Sequence, residues 1–458
     1  MPVRRGQFLG RTSLPPVPGE PVVDPHRKVD ATILKLRGEH NPVKRALAVL
    51  GPGLVTGASD DDPSGIGTYA QAGAQFGYAT LWATLAMLPM MISIQYISAR
   101  IGLVSGRGLG GVLRAKYPRA VVYPAVAALV IANTLNAGAD IGAIAAAINL
   151  LVPVAAVVFV VPVSVGILAL QLLGSYELIA KVFKWLALAL LAYVGAALFA
   201  RPDGLDVLRG ALIPTIRLDS QYIGILVALL GTTISPYLFF WQASQEVDEQ
   251  IVMGRRLLWQ RQGASKRELG FALWDTVAGM AFSEIVAFFI ILAAGATLFV
   301  HGETHIVSAT EAAQALRPIA GDASAVLLAV GLIGAGVLAV PVLTASAAYG
   351  VAGALDWKQG LTRSIGRAPL FYLVIAAATL VGMSINFLEI NPITALVLSA
   401  VLNGLLAPPL LVLVMLVSND RAVMGERTNG RLLNVVGWAT TLAMAIAALA
   451  LIITAIAG

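Results

Sequence analysis

Asp60–Tyr69 reads DDDPSGIGTY. Three carboxylates are followed at once by Pro63, Ser64 and Gly65. The flanks are apolar, with ALAVLGPGLVTGA from Ala46 before the stretch and AQAGAQFGYATLWATL from Ala70 after it. The whole run is long enough to cross a bilayer. An unbroken helix would set Asp60, Asp61 and Asp62 at membrane depth, at a cost of about 2.5–3.5 kcal/mol each on insertion scales. Pro63 removes one helix hydrogen bond and Gly65 loosens the backbone. Irregular backbone survives at that depth only where it lines a cavity or is buried in protein. The stretch therefore reads as an interrupted transmembrane helix whose unwound middle offers carboxylate and carbonyl oxygens to a cation.

The composition supports a membrane setting. Of 458 residues, 58% are hydrophobic and only 12% charged, and the mean hydropathy is +0.82. That is more apolar surface than a soluble domain of this length needs, so the chain reads as a polytopic membrane protein. Cysteine is absent, which excludes disulfides, thiolate metal sites and cysteine catalysis. No Ser/His/Asp arrangement is present, and all four histidines lie outside the apolar spans, at 26, 40, 301 and 305. An enzyme is therefore not expected, and no cofactor is implied. Met1–Arg45 is rich in Pro and charge, with one short helix expected at Val29–Leu36 and no signal peptide, and reads as a cytoplasmic tail.

Eleven apolar spans follow, all helical by length. Span 1 is Ala46–Phe76, span 2 Tyr78–Ile101, span 3 Val121–Leu151, span 4 Val154–Leu173 and span 5 Leu178–Ala200. Span 6 is Tyr222–Gln250, span 7 Phe271–Phe299, span 8 Ala325–Leu355, span 9 Pro369–Ile385, span 10 Pro392–Val417 and span 11 Leu433–Ala457. With the N-terminus inside, 27 of the 31 basic residues fall on the inner side, leaving Arg201, Arg209, Arg217 and Arg317 outside. A miscounted span would have scattered the later clusters to both sides. The net charge of +6 is thus membrane topology rather than a nucleic-acid footprint. The expected arrangement is N-terminus in the cytoplasm and C-terminus outside, in a bacterial inner (plasma) membrane.

Span 6 carries a second interruption. Leu229–Glu249 reads LLGTTISPYLFFWQASQEVDE, with Ser235-Pro236 near its middle. The two interruptions lie five helices apart, and an odd repeat length inverts the second copy relative to the first. Interrupted helices at matching positions of an inverted five-plus-five repeat mark a transporter whose site lies at the repeat interface. The expected organisation is a tail at 1–45, a first repeat at 46–200, an inverted second repeat at 222–417 and an extra helix at 433–457.

GPGLVTGASDDDPSGIGTYAQAGAQFGY from Gly51 resembles the first helix of the natural resistance-associated macrophage protein (NRAMP) family of divalent metal transporters. GRGLGGVLRAKYPR from Gly106, NAGADIGAIAAAINLL from Asn136 and the Ser-Pro interruption of span 6 fit the same family, and the resemblance covers about residues 44–455. It implies an all-α, LeuT/APC-like inverted repeat, shared with amino-acid transporters, and a metal site between helices 1 and 6. The family pattern Asp-Pro-Gly-Asn becomes Asp62-Pro63-Ser64-Gly65, so the carboxylate stays and the Asn ligand is lost. Met-Pro-His becomes Ser235-Pro236-Tyr237. The acidic pair of helix 3 falls on Asn136 and Ala139, with Asp140 one place on, and a Gln of helix 10 falls on Ala400. These departures resemble a divergent NRAMP-related branch, some of whose members carry Mg2+.

The donor chemistry agrees. Without a thioether, the site offers oxygens only, which suit Mg2+, Ca2+ or Mn2+. Gly65 and Ser235 also enlarge the cavity, and Mg2+ is usually held through retained waters. The expected function is divalent-cation transport by alternating access, with Mg2+ favoured and Mn2+ second, and with weak or no proton coupling. Asp140, Asp275 and Glu284 keep open the alternative of a proton-coupled Mn2+/Fe2+ symporter. An amino-acid symporter is disfavoured because three acidic residues would repel a substrate carboxylate.

Asp62 is the expected direct ligand, against the plainer reading of a helix N-cap. By alignment Ser59 and Thr232 would add backbone carbonyls, while Ser235 and Gly65 hold the places of lost ligands. Asp60, Asp61, Asn136, Asp140, Tyr237 and Gln242 are expected next to the ion or along its route, with Asp60 and Asp61 alternatively solvated in a wide outer mouth. Gln242 and Gln245 could instead bond between helices, and Asp275 and Glu284 read as structural. GRGLGG at Gly106–Gly111 follows no strand, so nucleotide binding is dismissed. His301, Glu303 and His305 read as a solvated loop. The expected partners are a divalent ion and the lipid bilayer, with no nucleic acid, and the protein is expected to be monomeric.

Overall fold

The structure is a computed structural model and describes residues 52–173, 193–306, 309–316, 321–388 and 390–457. The N-terminal tail with its expected short helix, most of span 5, and Lys181 and Lys184 lie outside the described residues. Within them, every regular element is helical. The principal helices are α1 (Pro52–Asp60), α2 (Pro63–Phe76), α3 (Leu81–Ser105), α4 (Leu109–Lys116), α5 (Arg119–Leu151), α6 (Ala156–Leu173) and α7 (Ser220–Thr233). They continue with α8 (Pro236–Val252), α9 (Lys266–Thr297), α10 (Ser324–Leu355), α11 (Pro369–Ile385), α12 (Pro392–Ser418) and α13 (Arg431–Ala457). Seven helical stretches among the described residues are long and apolar enough to cross a membrane, and two shorter apolar helices, Ala156–Leu172 and Pro369–Ile385, accompany them.

Both expected interruptions are present. α1 stops at Asp60 and α2 starts at Pro63, and α7 stops at Thr233 and α8 starts at Pro236. Proline suits the first turn of the second half-helix, where its missing N–H would have no partner anyway. Proline also lies inside continuous helices elsewhere, at Pro89, Pro124, Pro162 and Pro341, at the loss of a helix hydrogen bond, so the two breaks rest on the residues ahead of Pro63 and Pro236 as well.

The helix ends differ from the hydropathy reading by a few residues, for local reasons. Span 7 begins at Lys266 rather than Phe271 because Ser265 and Glu268 form a reciprocal cap. The Ser265 hydroxyl accepts from the Glu268 amide at 3.2 Å, and the Ser265 amide donates to Glu268 Oε2 at 2.8 Å. Arg255 then pairs with Glu268. Span 2 begins at Leu81, after a tight turn over Gly77–Thr80. A short helix at Gly204–Leu212, capped by Asp203, had no signal in the hydropathy pattern.

Close approach of small residues sets the packing around the interruptions. A Cβ on Gly57 of α1 would lie 2.2 Å from the Gly279 carbonyl oxygen of α9. One on Gly231 of α7 would lie 2.1 Å from the Ala400 carbonyl oxygen of α12. Each interrupted helix is thus pressed backbone to backbone against an unbroken one. Along α1 and α9 the contacts run in register: the Gly53 amide donates to Asp275 Oδ2 at 2.6 Å, Gly57 meets Gly279, and Ser283 meets Asp60 and Asp61. Both numbers rise together, so the two helices run side by side in the same direction.

Candidate metal centre

The centre starts from what the first interruption does to Asp62. Its backbone is extended (φ −67°, ψ 167°), and its side chain caps α2. Oδ1 accepts from the Gly65 amide at 2.6 Å and from the Ser64 hydroxyl at 2.7 Å. Oδ2 accepts from Asn136 Nδ2 on α5 at 2.9 Å. The carboxylate is therefore both an N-cap and a group held rigidly in place. Asn136 is itself oriented by the Ser399 hydroxyl of α12, which donates to its Oδ1 at 2.7 Å. Asp140, one helical turn beyond Asn136, is fully buried and neither of its oxygens has a hydrogen-bond partner.

The second interruption meets the first through Tyr237. Its hydroxyl donates to the Ser59 carbonyl at 2.7 Å, so the position of the lost histidine ties α8 to the end of α1. Thr232 and Gly65 come together at the crossing: a Cβ on Gly65 would lie 3.3 Å from Thr232 Oγ1 and 3.1 Å from the Asp60 carbonyl. The Thr232 hydroxyl is buried without a partner. The Ser235 hydroxyl sits 2.6 Å from the Gly231 carbonyl and 2.8 Å from that of Thr232, so it turns back onto the end of α7. Gln242 extends the polar line toward the far end of α8. It accepts from the Thr56 hydroxyl at 2.5 Å and donates to Glu246 at 3.0 Å.

Asp60 and Asp61 turn the other way, toward α9. The Ser283 hydroxyl lies 2.6 Å from Asp60 Oδ2 and 3.1 Å from Asp61 Oδ1. Both carboxylates are fully buried in this structure rather than open to solvent. Asp275 binds the Gly53 amide at the start of α1. Gln245 reaches the Tyr349 hydroxyl at 3.4 Å. His301 and His305 lie in the exposed loop expected for them.

The eleven residues expected at the ion or along its route are thus all buried, and all but Gln242 lie at or beside the two interruptions. Three further groups were missed as partners. Ser399 is one place from the aligned Ala400, Ser283 lies in the middle of α9, and Glu246 is one turn past Gln242. A hydroxyl beside the mid-span carboxylate Glu284 was the available signal for Ser283.

An all-helical membrane protein with two interrupted helices crossing at a buried oxygen-rich centre has the build of a transporter that binds its cargo between them. Residues 53–454 match the natural resistance-associated macrophage protein-like family, and the chain belongs to that family. It is similar to the divalent metal cation transporter MntH of two Klebsiella pneumoniae strains, at 28% identity over 402 residues and 27% over 401, covering 86% of this chain and 91% of each relative. Among solved structures it resembles the Eremococcus coleocola manganese transporter, with a TM-score of 0.68 at 17% identity over 91% of this chain and 87% of that one. It also resembles Mhp1, a nucleobase-cation-symport-1 family transporter, with a TM-score of 0.51 at 13% identity over 89% and 93% of the two chains. The all-α, LeuT/APC-like architecture with broken helices 1 and 6 is therefore the fold of this chain.

Proposed function

We propose that this protein carries divalent metal cations across a membrane by alternating access, with Mg2+ favoured and Mn2+ second. The ion would bind where the interruptions cross, with Asp62 as the charged ligand and the Ser59 and Thr232 carbonyls facing it. Gly65 supplies room and Ser235 a hydroxyl reached through water. The observation that carries the reading is the anchoring of Asp62 by Gly65, Ser64 and Asn136 beside a second interrupted helix.

Three features favour a hard, partly hydrated ion. Every donor at the crossing is an oxygen or an amide. Asp62 already accepts three hydrogen bonds and the Ser59 carbonyl one, so each keeps little capacity beyond a single contact. Mg2+, which commonly retains several waters and takes one or two carboxylates, suits that supply. Asn136, Asp140, Tyr237 and Gln242 would line the approach, and Asp60 and Asp61 would raise its negative potential.

The remaining parts of the reading rest on the sequence. Eleven spans in two inverted repeats, 46–200 and 222–417, with an added helix at 433–457, give an N-terminus in the cytoplasm and a C-terminus outside. A bacterial inner membrane and a monomer are the matching setting. Proton coupling is weak or absent, because the helix 6 histidine and the helix 3 acidic pair are replaced by Tyr237, Asn136 and Ala139.

The test is uptake into proteoliposomes with a panel of divalent ions and a pH-sensitive dye inside. Mg2+ should enter, its entry should survive excess Cd2+, and the interior pH should stay unchanged. Strong preference for Cd2+ or Fe2+, with internal acidification as they enter, would instead make it a proton-coupled transition-metal carrier.

A further inference from the structure

We propose that Asp60, Asp61, Ser283 and Glu284 form a second cation site, separate from the one at Asp62, that takes a hydrated hard cation of the Mg2+ class. The proposal rests on the reading that the chain handles such a cation, and it concerns the opposite flank of the same helix break. Asp62 faces α5 through Asn136, whereas Asp60 and Asp61 face α9 through Ser283.

The geometry of this flank is fixed by the parallel run of α1 and α9. The Gly53–Asp275 hydrogen bond and the close Gly57–Gly279 approach leave the next turn of α9, Ser283–Glu284, no freedom to drift from the end of α1. There a single hydroxyl proton meets two carboxylates. The hydroxyl lies 2.6 Å from Asp60 Oδ2 and 3.1 Å from Asp61 Oδ1, so its one proton serves only one of them at a time. Asp60 Oδ1, Asp61 Oδ2 and both oxygens of Glu284 have no hydrogen-bond partner. Asp60 and Asp61 are fully buried and Glu284 is 5% exposed. Glu284 lies within electrostatic reach of both aspartates.

No Lys, Arg or His among the described residues pairs with any of the three carboxylates. Leaving several buried acceptors and charges uncompensated is costly. A cation placed among the orphaned oxygens would satisfy them and neutralise the charge in one step. The oxygens are carboxylate and hydroxyl only, which selects a hard ion. Among the described residues no three acidic or imidazole groups are gathered closely enough to hold a metal ion directly, so the ion proposed here would be held in part through its own waters.

Equilibrium dialysis of the purified full chain against Mg2+ counts bound ions and separates the two sites. Wild type should bind two ions, Glu284→Gln one and Asp62→Ala one, and the Asp62→Ala/Glu284→Gln double variant none. Ser283→Ala removes no charge and should keep the count at two, with severalfold weaker binding of one ion. A wild-type count of one overturns the proposal, whichever variant removes that ion, since protons would then neutralise the flank. A count of two that falls in Glu284→Gln but not in Asp62→Ala upholds this site and overturns the assignment of Asp62 as ligand.

Electron paramagnetic resonance of Mn2+-loaded wild type gives an answer without any variant. Two neighbouring Mn2+ ions should show a dipolar-broadened signal at saturation. Only the sharp six-line signal of isolated Mn2+ at saturation overturns the proposal.

Discussion

The break between α1 and α2 and the break between α7 and α8 share a backbone plan. In each, a half-helix stops, two residues follow, and a proline opens the next half-helix. They differ in charge. The first break holds three buried carboxylates, and Asp62 caps the helix that follows with hydrogen bonds to Gly65 and Ser64. The second holds hydroxyls only, and Ser235 makes no cap to α8, bonding instead to the carbonyls behind it. A shared interruption motif thus supports two jobs. One break gathers the carboxylates proposed to bind the ion, and the other brings a tyrosine whose hydroxyl donates to the Ser59 carbonyl of the first.

Substitutions across the two breaks probe that division. The largest effect belongs to Asp62. In Asp62→Ala, Mg2+ flux in proteoliposomes should fall to the level of empty vesicles, because the charged ligand and the α2 cap go together. A purely structural cap would instead let Asp62→Asn, which keeps an acceptor oxygen, restore flux. Asn136→Ala comes next. It removes the donor that orients Asp62 Oδ2, and loss of such a supporting group typically costs about 10–100-fold in metal affinity. An unchanged concentration dependence of uptake would show that Asn136 does not act through Asp62.

The smallest effect is expected at the neutral break. Ser235→Ala removes a hydroxyl that bonds backbone carbonyls, worth about 1 kcal/mol of stability. It should leave flux within about twofold, since a water can take the hydroxyl's place. A loss as deep as that of Asp62→Ala would put Ser235 in direct contact with the ion and erase the contrast between the breaks.

Much of this was readable from the chain because carboxylates have few uses in a membrane. Proline alone does not mark a break, since Pro89, Pro124, Pro162, Pro341, Pro408 and Pro409 lie within continuous helices. Pro63 and Pro236 stood out because polar residues precede them, and Asp60–Asp62 cannot face lipid, so the interruptions and the acidic centre followed from local chemistry. The partners of those carboxylates did not. Which flank Asp60 and Asp61 take depends on Gly57 meeting Gly279, a packing contact between residues more than two hundred positions apart. Ser399 lies one position from Ala400, and one position on a helix turns a side chain by about 100°, so only the packed structure shows that it faces Asn136. Tyr237 was legible as a lost histidine, but its hydrogen bond to Ser59 depends on how the two half-helices cross. The start of α9 was misplaced because hydropathy is blind to the Ser265–Glu268 cap.

The central claim, that a divalent ion sits where the two breaks cross, is tested most directly by an anomalous difference map of crystals soaked in Mn2+. The account predicts a peak beside Asp62, between the Ser59 and Thr232 carbonyls. A map in which bound Mn2+ leaves that crossing empty while occupying other positions would contradict it.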